Sequence, residues 1–399
     1  MKYEVELAKD GNPTLKINDK YIYSKYAPIK EAESFIIKEF DENAPGYILV
    51  GLGLGYHLKQ LIKMTHKEII LLPIDEQEIK FYQQQTDNSL LNRVEKITAN
   101  KDVGDYQIFI PNAFLSAVGE QHSLYDFLQD IKIRQRSFKT YGKLLEQNFK
   151  ANITLNDTTH VNLANRYKGA KACLISAGPS LDEMMSYVSL AKDNGYYILA
   201  VGSALKALLV RNIIPDAVII TDSQDNIQRQ LSNTNYNGML YYLSTANHGA
   251  VLLHQSERIM LLQQGYHLVE QYLKEDMELL ETGGSVATTA FSLLEYMGFQ
   301  RVVLFGQDLG FAGELTHSTN STSAKKSLKK KYRKILSNNN TYINTQPNLY
   351  SYFRWFEQKF CNTNVEIFNT ALHGAKIKGA TFVNEMELQQ LLTSENSCI

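Results

Sequence analysis

The sequence predicts an α/β protein with a Rossmann-like, doubly wound and mainly parallel sheet, preceded by a smaller α/β domain. In the second half of the chain, apolar stretches of four or five residues alternate with amphipathic helical stretches. That alternation is typical of a parallel sheet covered by helices on both faces. A separate strand–glycine turn–helix–strand pattern lies near the N-terminus. The length of 399 residues also exceeds what one ordinary core accommodates.

Composition narrows the class of protein. The hydrophobic fraction is 44% and the charged fraction 21%, as in a globular protein. Lys and Arg total 41 against 42 Asp and Glu, so no overall field favours nucleic acid or an anionic membrane. Three cysteines with no metal-ligand spacing favour a reducing cytoplasm, and no apolar run reaches membrane-spanning length. We therefore expect a cytoplasmic protein with no nucleic-acid partner and no membrane insertion.

The N-terminal domain is predicted over residues 1–122. GYILVGLGLGYHLKQLIKM combines an apolar strand, a glycine turn and a helix that begins near Tyr56, and EIILLPID adds a strand that ends at Asp75. Gly51, Gly53 and Gly55 would let a cofactor approach the backbone, and Asp75 could bind ribose hydroxyls. Such turns are also common in purely structural βαβ units, so both interpretations stay open.

A polar, helical connector is predicted over residues 123–166, followed by a larger domain over 167–399. The predicted strands of that domain are Ala172–Ile175, Tyr197–Val201, Ala217–Thr221, Leu240–Ser244, Ile259–Leu262, Arg301–Phe305 and Val365–Phe368. The predicted helices between them include Ser180–Lys192, Ala204–Arg211 and Ser285–Met297.

The stretch KACLISAGPSLDEMM places Gly178 and Pro179 between a strand and a helix start. Its Ser180-x-x-Glu183 pattern predicts a capping box at the start of the helix. The free amides of that first turn would face the carboxyl edge of the sheet, where anionic ligands bind. A well-made cap with no ligand explains the same residues.

Two further strands predict polar residues at the same edge. AVIITDSQDN ends a strand and presents Asp222 and Gln224, and a second strand ends before Gln307 and Asp308. The Gly283-Gly284 turn opens another helix near Ser285. Because the carboxyl ends of parallel strands share one edge, these residues are predicted to converge on a ligand site.

His317 lies in the polar stretch GELTHSTNSTSAKKS, close enough in sequence to reach that edge. In the run Lys325 to Lys334, seven of ten residues are Lys or Arg. The run is either an exposed helix face or a contact with an anionic partner. The sequence contains no H-E-x-x-H, P-loop or G-x-S-x-G pattern.

Five stretches in order resemble the motility-associated factor (Maf) family of bacterial flagellin glycosyltransferases. They are LISAGPSLDE, IITDSQDN, TGGSVATTAF, LFGQDLGFAGELTHS and NTALHGAKIKGA. The resemblance implies a sialyltransferase-like central domain. It also implies transfer of a nonulosonic acid, pseudaminic or legionaminic, from a CMP-activated donor to Ser or Thr of flagellin. No cofactor and no metal is implied, because the CMP-activated sugar is itself a co-substrate.

The resemblance implies a set of donor-binding residues and two candidate catalytic residues. The donor-binding residues are Ser176, Gly178, Pro179, Ser180, Ser203, Asp222, Gln224, Gly283, Gly284, Ser285 and Gln307. Sialyltransferases often carry Asn where this chain has Ala177, and TYINTQPN lacks the histidine that some of them use as a base. Asp308 or His317 would then have to accept the proton.

Two other functions remain open at this point. The same domain resembles, more distantly, archaeal pterin diphosphokinases, which would need ATP and magnesium. A catalytically silent chaperone or export factor that binds flagellin is the third hypothesis.

Overall fold

The computed structural model describes residues 1–86, 88–96, 106–273, 277–311 and 332–394. The chain divides into two compact units, Met1–Arg136 and Ser137–Ile399. The division between the two units falls within the fifth helix, α5 (Tyr125–Ile153). The helical connector was predicted over residues 123–166; the α-helix ends at Ile153, and a short 3-10 helix follows at His160–Leu163. Between the two, Asn156 adopts a left-handed φ of 55°, which a continuing helix does not allow.

The first unit contains two sheets. An antiparallel meander precedes a four-stranded parallel sheet of order β6-β5-β4-β7. Its strands are β1 (Tyr3–Leu7), β2 (Pro13–Ile17), β3 (Lys20–Tyr21), β4 (Tyr47–Val50), β5 (Ile69–Leu72), β6 (Glu95–Lys96) and β7 (Gln107–Phe109). Its helices before α5 are α1 (Pro28–Glu39), α2 (Tyr56–Met64), α3 (Glu76–Gln85) and α4 (Asn112–Val118). The predicted smaller α/β domain is thereby confirmed.

The second unit is built on a larger sheet. Its strands are β8 (Thr158–Thr159), β9 (Lys171–Ile175), β10 (Tyr197–Val201), β11 (Ala217–Ile220), β12 (Met239–Leu243), β13 (Arg258–Leu261), β14 (Arg301–Phe305), β15 (Arg333–Leu336), β16 (Tyr342–Thr345), β17 (Glu366–Asn369) and β18 (Thr381–Phe382). Its helices are α6 (Leu181–Asp193), α7 (Leu205–Val210), α8 (Gln228–Leu231), α9 (His248–Leu253), α10 (His267–Tyr272), α11 (Val286–Tyr296), α12 (Pro347–Cys361) and α13 (Glu385–Thr393).

The predicted parallel sheet is confirmed. In the described part of the chain it has nine strands in the order β18-β17-β14-β9-β10-β11-β12-β13-β8, and every neighbouring pair is parallel. The central strands are apolar along their length because both faces are covered; all four residues of β11 are buried. The seven strands predicted from the sequence lie within one residue of their observed bounds.

The topology creates a crevice beside β9. From β9 the chain proceeds strand by strand to β13, then returns to add β14 on the other side of β9. The loops that follow β9 and β14 therefore leave the same edge in opposite directions. In open α/β sheets, ligands bind at such a switch point. Strands β15 and β16 form a separate antiparallel pair after it.

The basic run is described only at its end. Arg333 and Lys334 begin β15, so the prediction of a helix face is wrong for these two residues. Residues 325–331 lie outside the described part of the chain, as does His317. Among the residues that the structure covers, no helix combines the length and the apolar character that crossing a membrane requires.

Candidate functional site

The loops after β9 and β14 are joined directly at the switch point. The Ser176 amide donates a hydrogen bond to the Phe305 carbonyl, and the Gly178 amide donates one to the Gly306 carbonyl, both of 2.8 Å. Gly306 has a φ of +65°, and a Cβ there would lie 2.3 Å from the Ser176 carbonyl oxygen. The close approach of the two loops thus requires a glycine at this point.

Asp308 ties the start of α6 to the β14 loop. Its Oδ2 accepts a 2.8 Å hydrogen bond from the Ser180 hydroxyl and a 3.3 Å bond from the Ser180 amide. The Asp308 side chain is buried, and this burial raises its pKa to about 6, although the two bonds from Ser180 oppose the rise. A buried carboxyl that titrates near neutrality is a candidate acid–base group.

The predicted capping box at Ser180 is wrong. Ser180 has helical backbone angles (φ −64°, ψ −15°), and its side chain accepts no capping bond from the first turn of α6. Its hydroxyl donates to Asp308 instead, because the loop after β14 brings a carboxylate within reach. Local sequence alone favoured Glu183 as the partner, but a contact across 128 residues replaced it.

Gly178 is required by the packing of the loops themselves. A Cβ at this position would lie 2.0 Å from Asp308 Oδ2 and 2.4 Å from the Gly306 carbonyl oxygen. The family resemblance implied that Gly178 belongs to the donor-binding residues. The structure shows that it also keeps room for the neighbouring protein loop, so a larger residue would disturb the fold as well as the crevice.

A cavity of about 170 Å³ lies beside these loops. Of the predicted residues, Ser176, Gly178, Ser203, Ser285, Gln307 and Asp308 line it. The Ser176 hydroxyl donates a 2.6 Å hydrogen bond to Gln307 Oε1, which orients the Gln307 amide. The lining residues that the sequence analysis did not assign to the site are Ala177, Val201, Val286, Ala287, Gly306, Leu309, Gly310, Leu349 and Tyr352. Those are mostly apolar residues that no chemical motif singles out.

The start of α11 faces the cavity with free donors. Ser285 and Thr288 form a reciprocal capping box, with the Thr288 amide donating to Ser285 Oγ at 3.2 Å. The amides of Val286 and Ala287 donate to no residue that the structure describes. Both residues line the cavity. The predicted helix start at Ser285 is confirmed. Helix N-terminal amides of this kind are the donors that negatively charged groups generally bind.

Other predicted residues lie beside the cavity rather than in its wall. Pro179 and Ser180 continue the β9 loop, and Gly283 and Gly284 precede the α11 cap. Asp222 and Gln224 follow β11, and Asp222 Oδ1 accepts a 3.0 Å bond from the Gln224 amide. Burial raises the pKa of Tyr352, and the negative charge of Asp222 adds to that rise.

A buried polar network at the ends of β11 and β12 was not predicted. Asn148 Nδ2 donates to the Ser223 carbonyl at 3.0 Å, and Asn152 Nδ2 donates to the carbonyls of Ser244 and Ala246 at 3.0 and 2.8 Å. The available signal was two asparagines four residues apart on a predicted helix, which places both on one face. Within the described ranges, no group of three His, Cys, Asp or Glu side chains is arranged to hold a metal ion.

The backbone amides of the glycine turn in the first unit donate to a side chain of the same unit. Glu78 Oε1 accepts bonds from the amides of Leu52 and Gly53 at 2.8 and 2.9 Å, and Oε2 accepts one from Ile74 at 2.9 Å. Burial raises the pKa of Glu78 to about 7, against the effect of these bonds. Asp75 caps α3 through the Glu78 amide at 2.8 Å. These amides are thus paired within the protein, which favours the structural interpretation of the turn.

Comparisons with known proteins give a family model, a relative and a solved structure to which this chain is similar. The model of a family described as 6-hydroxymethylpterin diphosphokinase MptE-like matches residues 145–314, which is less than half of the chain. An uncharacterised protein of Treponema pallidum (strain Nichols) is 28% identical, over 48% of this chain and 74% of that protein. A solved structure, described as a MAf glycosyltransferase from Magnetospirillum magneticum AMB-1, covers 96% of this chain. The TM-score is 0.48 and the identity 14%, over 70% of that chain. Neither value carries an activity from that protein to this one.

Proposed function

We propose that the protein is a glycosyltransferase that moves a nonulosonic acid, of pseudaminic or legionaminic type, from a CMP-activated donor to Ser or Thr of flagellin. The proposal rests on the five ordered stretches that resemble the Maf family and on the site at the switch point. The transfer would take place in the cytoplasm and would need no cofactor beyond the donor.

The observation that carries the proposal is the pair of amides at Val286 and Ala287, which have no acceptor among the residues that the structure describes. They lie in the wall of the cavity, at the N-terminus of an eleven-residue helix. Such donors bind phosphate or carboxylate, and a CMP-activated nonulosonic acid carries both. Helix-dipole stabilisation of the CMP phosphate would strengthen as the bond to the anomeric carbon breaks, because negative charge then accumulates on the leaving group.

The size of the cavity limits how the donor could bind. Its volume of about 170 Å³ is below the roughly 300–1,000 Å³ of most small-molecule pockets. It would hold one part of the donor, with the remainder lying along the carboxyl edge toward Asp222. Gln307 and Ser176 would bind polar groups of that part, and Leu349 and Tyr352 supply an apolar wall for a flat ring.

Asp308 is proposed to position the donor or to accept a proton. Asp308 lines the cavity, and its Oδ2 accepts both bonds from Ser180. With a pKa near 6 the group is mainly ionised at neutral pH and exchanges its proton readily. His317 stays a proposed alternative and lies outside the described residues.

A second function has its own support. The matched family is described by a 6-hydroxymethylpterin diphosphokinase, and the match spans the loops that form the cavity. A diphosphokinase would transfer a diphosphate from ATP to a hydroxymethyl group, with magnesium as the counter-ion. The same helix N-terminus would then bind the phosphates of ATP.

Product analysis with the purified protein separates the hypotheses. The protein would be incubated with CMP-pseudaminic acid or CMP-legionaminic acid and flagellin, and separately with Mg–ATP and 6-hydroxymethylpterin. Release of CMP together with a mass increase on flagellin supports glycosyl transfer. Release of AMP supports diphosphokinase activity and overturns the proposal. Binding of flagellin with neither product supports a chaperone.

A further inference from the structure

His248 stands at the start of α9, directly after the loop that follows β12. Its ring Nδ1 lies 2.9 Å from Asn152 Oδ1, and its backbone amide donates a 3.2 Å bond to Asn148 Oδ1. Both asparagines belong to α5, one helical turn apart. The helix therefore holds His248 at the ring and at the backbone.

The contacts of Asn152 decide which ring nitrogen carries the proton. Asn152 Nδ2 donates to the carbonyls of Ser244 and Ala246, so both of its amide hydrogens are used and the amide cannot be turned around. Its Oδ1 is an acceptor, so His248 Nδ1 must be the donor. In the neutral ring, Nε2 is then an unprotonated acceptor, and it bonds to no residue in the described part of the chain.

The position of His248 is fixed by buried groups. Asn148 is 6% exposed and Asn152 is fully buried, while His248 itself is only partly buried. A buried asparagine that orients a half-exposed imidazole is an arrangement that prepares the free nitrogen to act as a base. A histidine serving only to fill space would not need its tautomer specified by two further hydrogen bonds.

A backbone hydrogen bond connects the loop that carries His248 to the loop after β11. The Asn247 amide donates to the Asp222 carbonyl at 2.9 Å. Strand β12 is two places from β10, whose end lines the cavity at Val201, so the two strands are about 10 Å apart. A donor that extends out of the small cavity along the edge would approach the end of β12.

We propose that His248 Nε2 is the base that accepts the proton of the acceptor hydroxyl. The acceptor oxygen forms a bond to the anomeric carbon, and the bond from that carbon to the CMP phosphate oxygen breaks, its electron pair leaving with CMP. The hydroxyl proton moves to Nε2, and Asn152 Oδ1 stabilises the resulting imidazolium through Nδ1–H. This assignment rests on the proposed glycosyl transfer and adds the residue that performs its proton transfer.

Two substitutions of His248 distinguish a catalytic base from a residue that only packs against its neighbours. In His248→Asn, the amide nitrogen can replace Nδ1 as the donor to Asn152, but no atom occupies the position of Nε2. In His248→Gln, the side chain extends toward the position of Nε2 but cannot take up the proton. We expect both variants to lose roughly a hundredfold or more in turnover to flagellin, while the CMP dissociation constant stays within about twofold. His267→Asn, on the exposed start of α10, is the matched control and should retain turnover.

The outcomes are distinct. Loss of turnover with CMP affinity and thermal stability retained in His248→Asn supports the assignment. Near wild-type turnover in that variant overturns it, as does a loss of CMP affinity or stability that accounts for the loss of turnover. If the wild-type protein itself releases no CMP and modifies no flagellin, the proposed function has failed. An active wild-type protein with an active His248→Asn variant rejects only the role of His248.

Discussion

The Ser180 hydroxyl donates a 2.8 Å hydrogen bond to Oδ2 of Asp308, across 128 residues of sequence. This bond connects the first turn after β9 with the loop after β14, the two loops that form the crevice. It also leaves a carboxylate buried in the wall of a cavity, where its charge is costly without a partner of opposite sign. The unfavourable buried charge of Asp308 thus lies where a ligand would bind.

Asp308→Asn is expected to lower turnover by roughly a hundredfold while leaving the fold intact. Asn Oδ1 can still accept the bonds from Ser180, so the link between the loops is kept. Turnover is measured with the CMP-activated donor and flagellin, and Ser180→Ala serves as the control that removes the hydroxyl bond but keeps the backbone amide bond and the carboxyl. Near wild-type turnover in Asp308→Asn would assign the residue to loop structure alone.

The same substitution should change how stability depends on pH. The Asp308 pKa is about 6 in the folded chain against a usual 3.8, so between these values the folded state holds a proton that the unfolded state has released. The free energy of unfolding of the wild type therefore falls as pH rises from about 4 to about 6, by at most about 3 kcal/mol. Asn does not titrate, so the free energy of unfolding of the variant should not fall in this way over the same pH range. Above pH 6 the variant should therefore be more stable than the wild type. Thermal unfolding at pH 5 and 7.5 measures the difference, and an unchanged pH dependence would contradict it.

Gly178→Ala should destabilise the second unit. The new Cβ would overlap Asp308 Oδ2 and the Gly306 carbonyl, and the second of these is backbone that cannot rotate away. We expect a loss of about 1–3 kcal/mol, the usual range for overpacking in a closely packed region. Gly169→Ala is the matched control for a glycine in open surroundings, with no atom within 4 Å of its added Cβ, although its φ of +80° adds strain of its own. A loss of less than about 0.5 kcal/mol for Gly178→Ala in denaturant unfolding would show that the loop contact is not what Gly178 protects.

Val286→Asp tests whether the start of α11 binds an anion. A carboxylate at the first position of a helix is favourable for the helix itself, but it would repel a phosphate or sugar carboxylate in the cavity. We expect at least a tenfold weaker affinity for CMP, with thermal stability unchanged or higher. Val286→Asn has nearly the same shape without the charge and should bind CMP more tightly than the Asp variant. Titration calorimetry compares the two, and equal affinities would place the ligand elsewhere.

Glu78→Ala should lower the free energy of unfolding of the first unit. The substitution leaves the amides of Leu52, Gly53 and Ile74 buried without acceptors, which we expect to cost about 3 kcal/mol or more. Glu76→Ala, in the exposed first turn of the same helix, should cost less than about 1 kcal/mol. Denaturant unfolding followed by circular dichroism provides the comparison. Similar losses for the two variants would mean that Glu78 does not pair the turn.

Regular structure in the second unit could be predicted closely from the sequence. The central strands are short apolar runs whose composition reflects burial on both faces, and strand Arg301–Phe305 was predicted with its observed bounds. The start of α11 followed from its glycines and serine. These features depend on residues that are adjacent in the chain, so their signals are local.

Hydrogen-bond partners that are distant in sequence could not be predicted from local patterns. Ser180 was expected to pair with Glu183 and bonds to Asp308 instead, and the glycine turn of the first unit was filled by Glu78 rather than left open. The ring of His248 is oriented by Asn152, 96 residues earlier. Each contact arises because the order of strands brings separate loops to one edge, which no local pattern records.

The sequence by itself determined the α/β class, the mainly parallel sheet and the sheet edge at which polar residues lie. These features could be predicted because periodicity and glycine placement are properties of neighbouring residues. Only the tertiary structure decided which of those residues face the cavity, which are paired with each other and which retain a free donor or acceptor. That decision depends on the return of the chain from β13 to β14, which places the β14 loop against the β9 loop and so selects the contacts at the site.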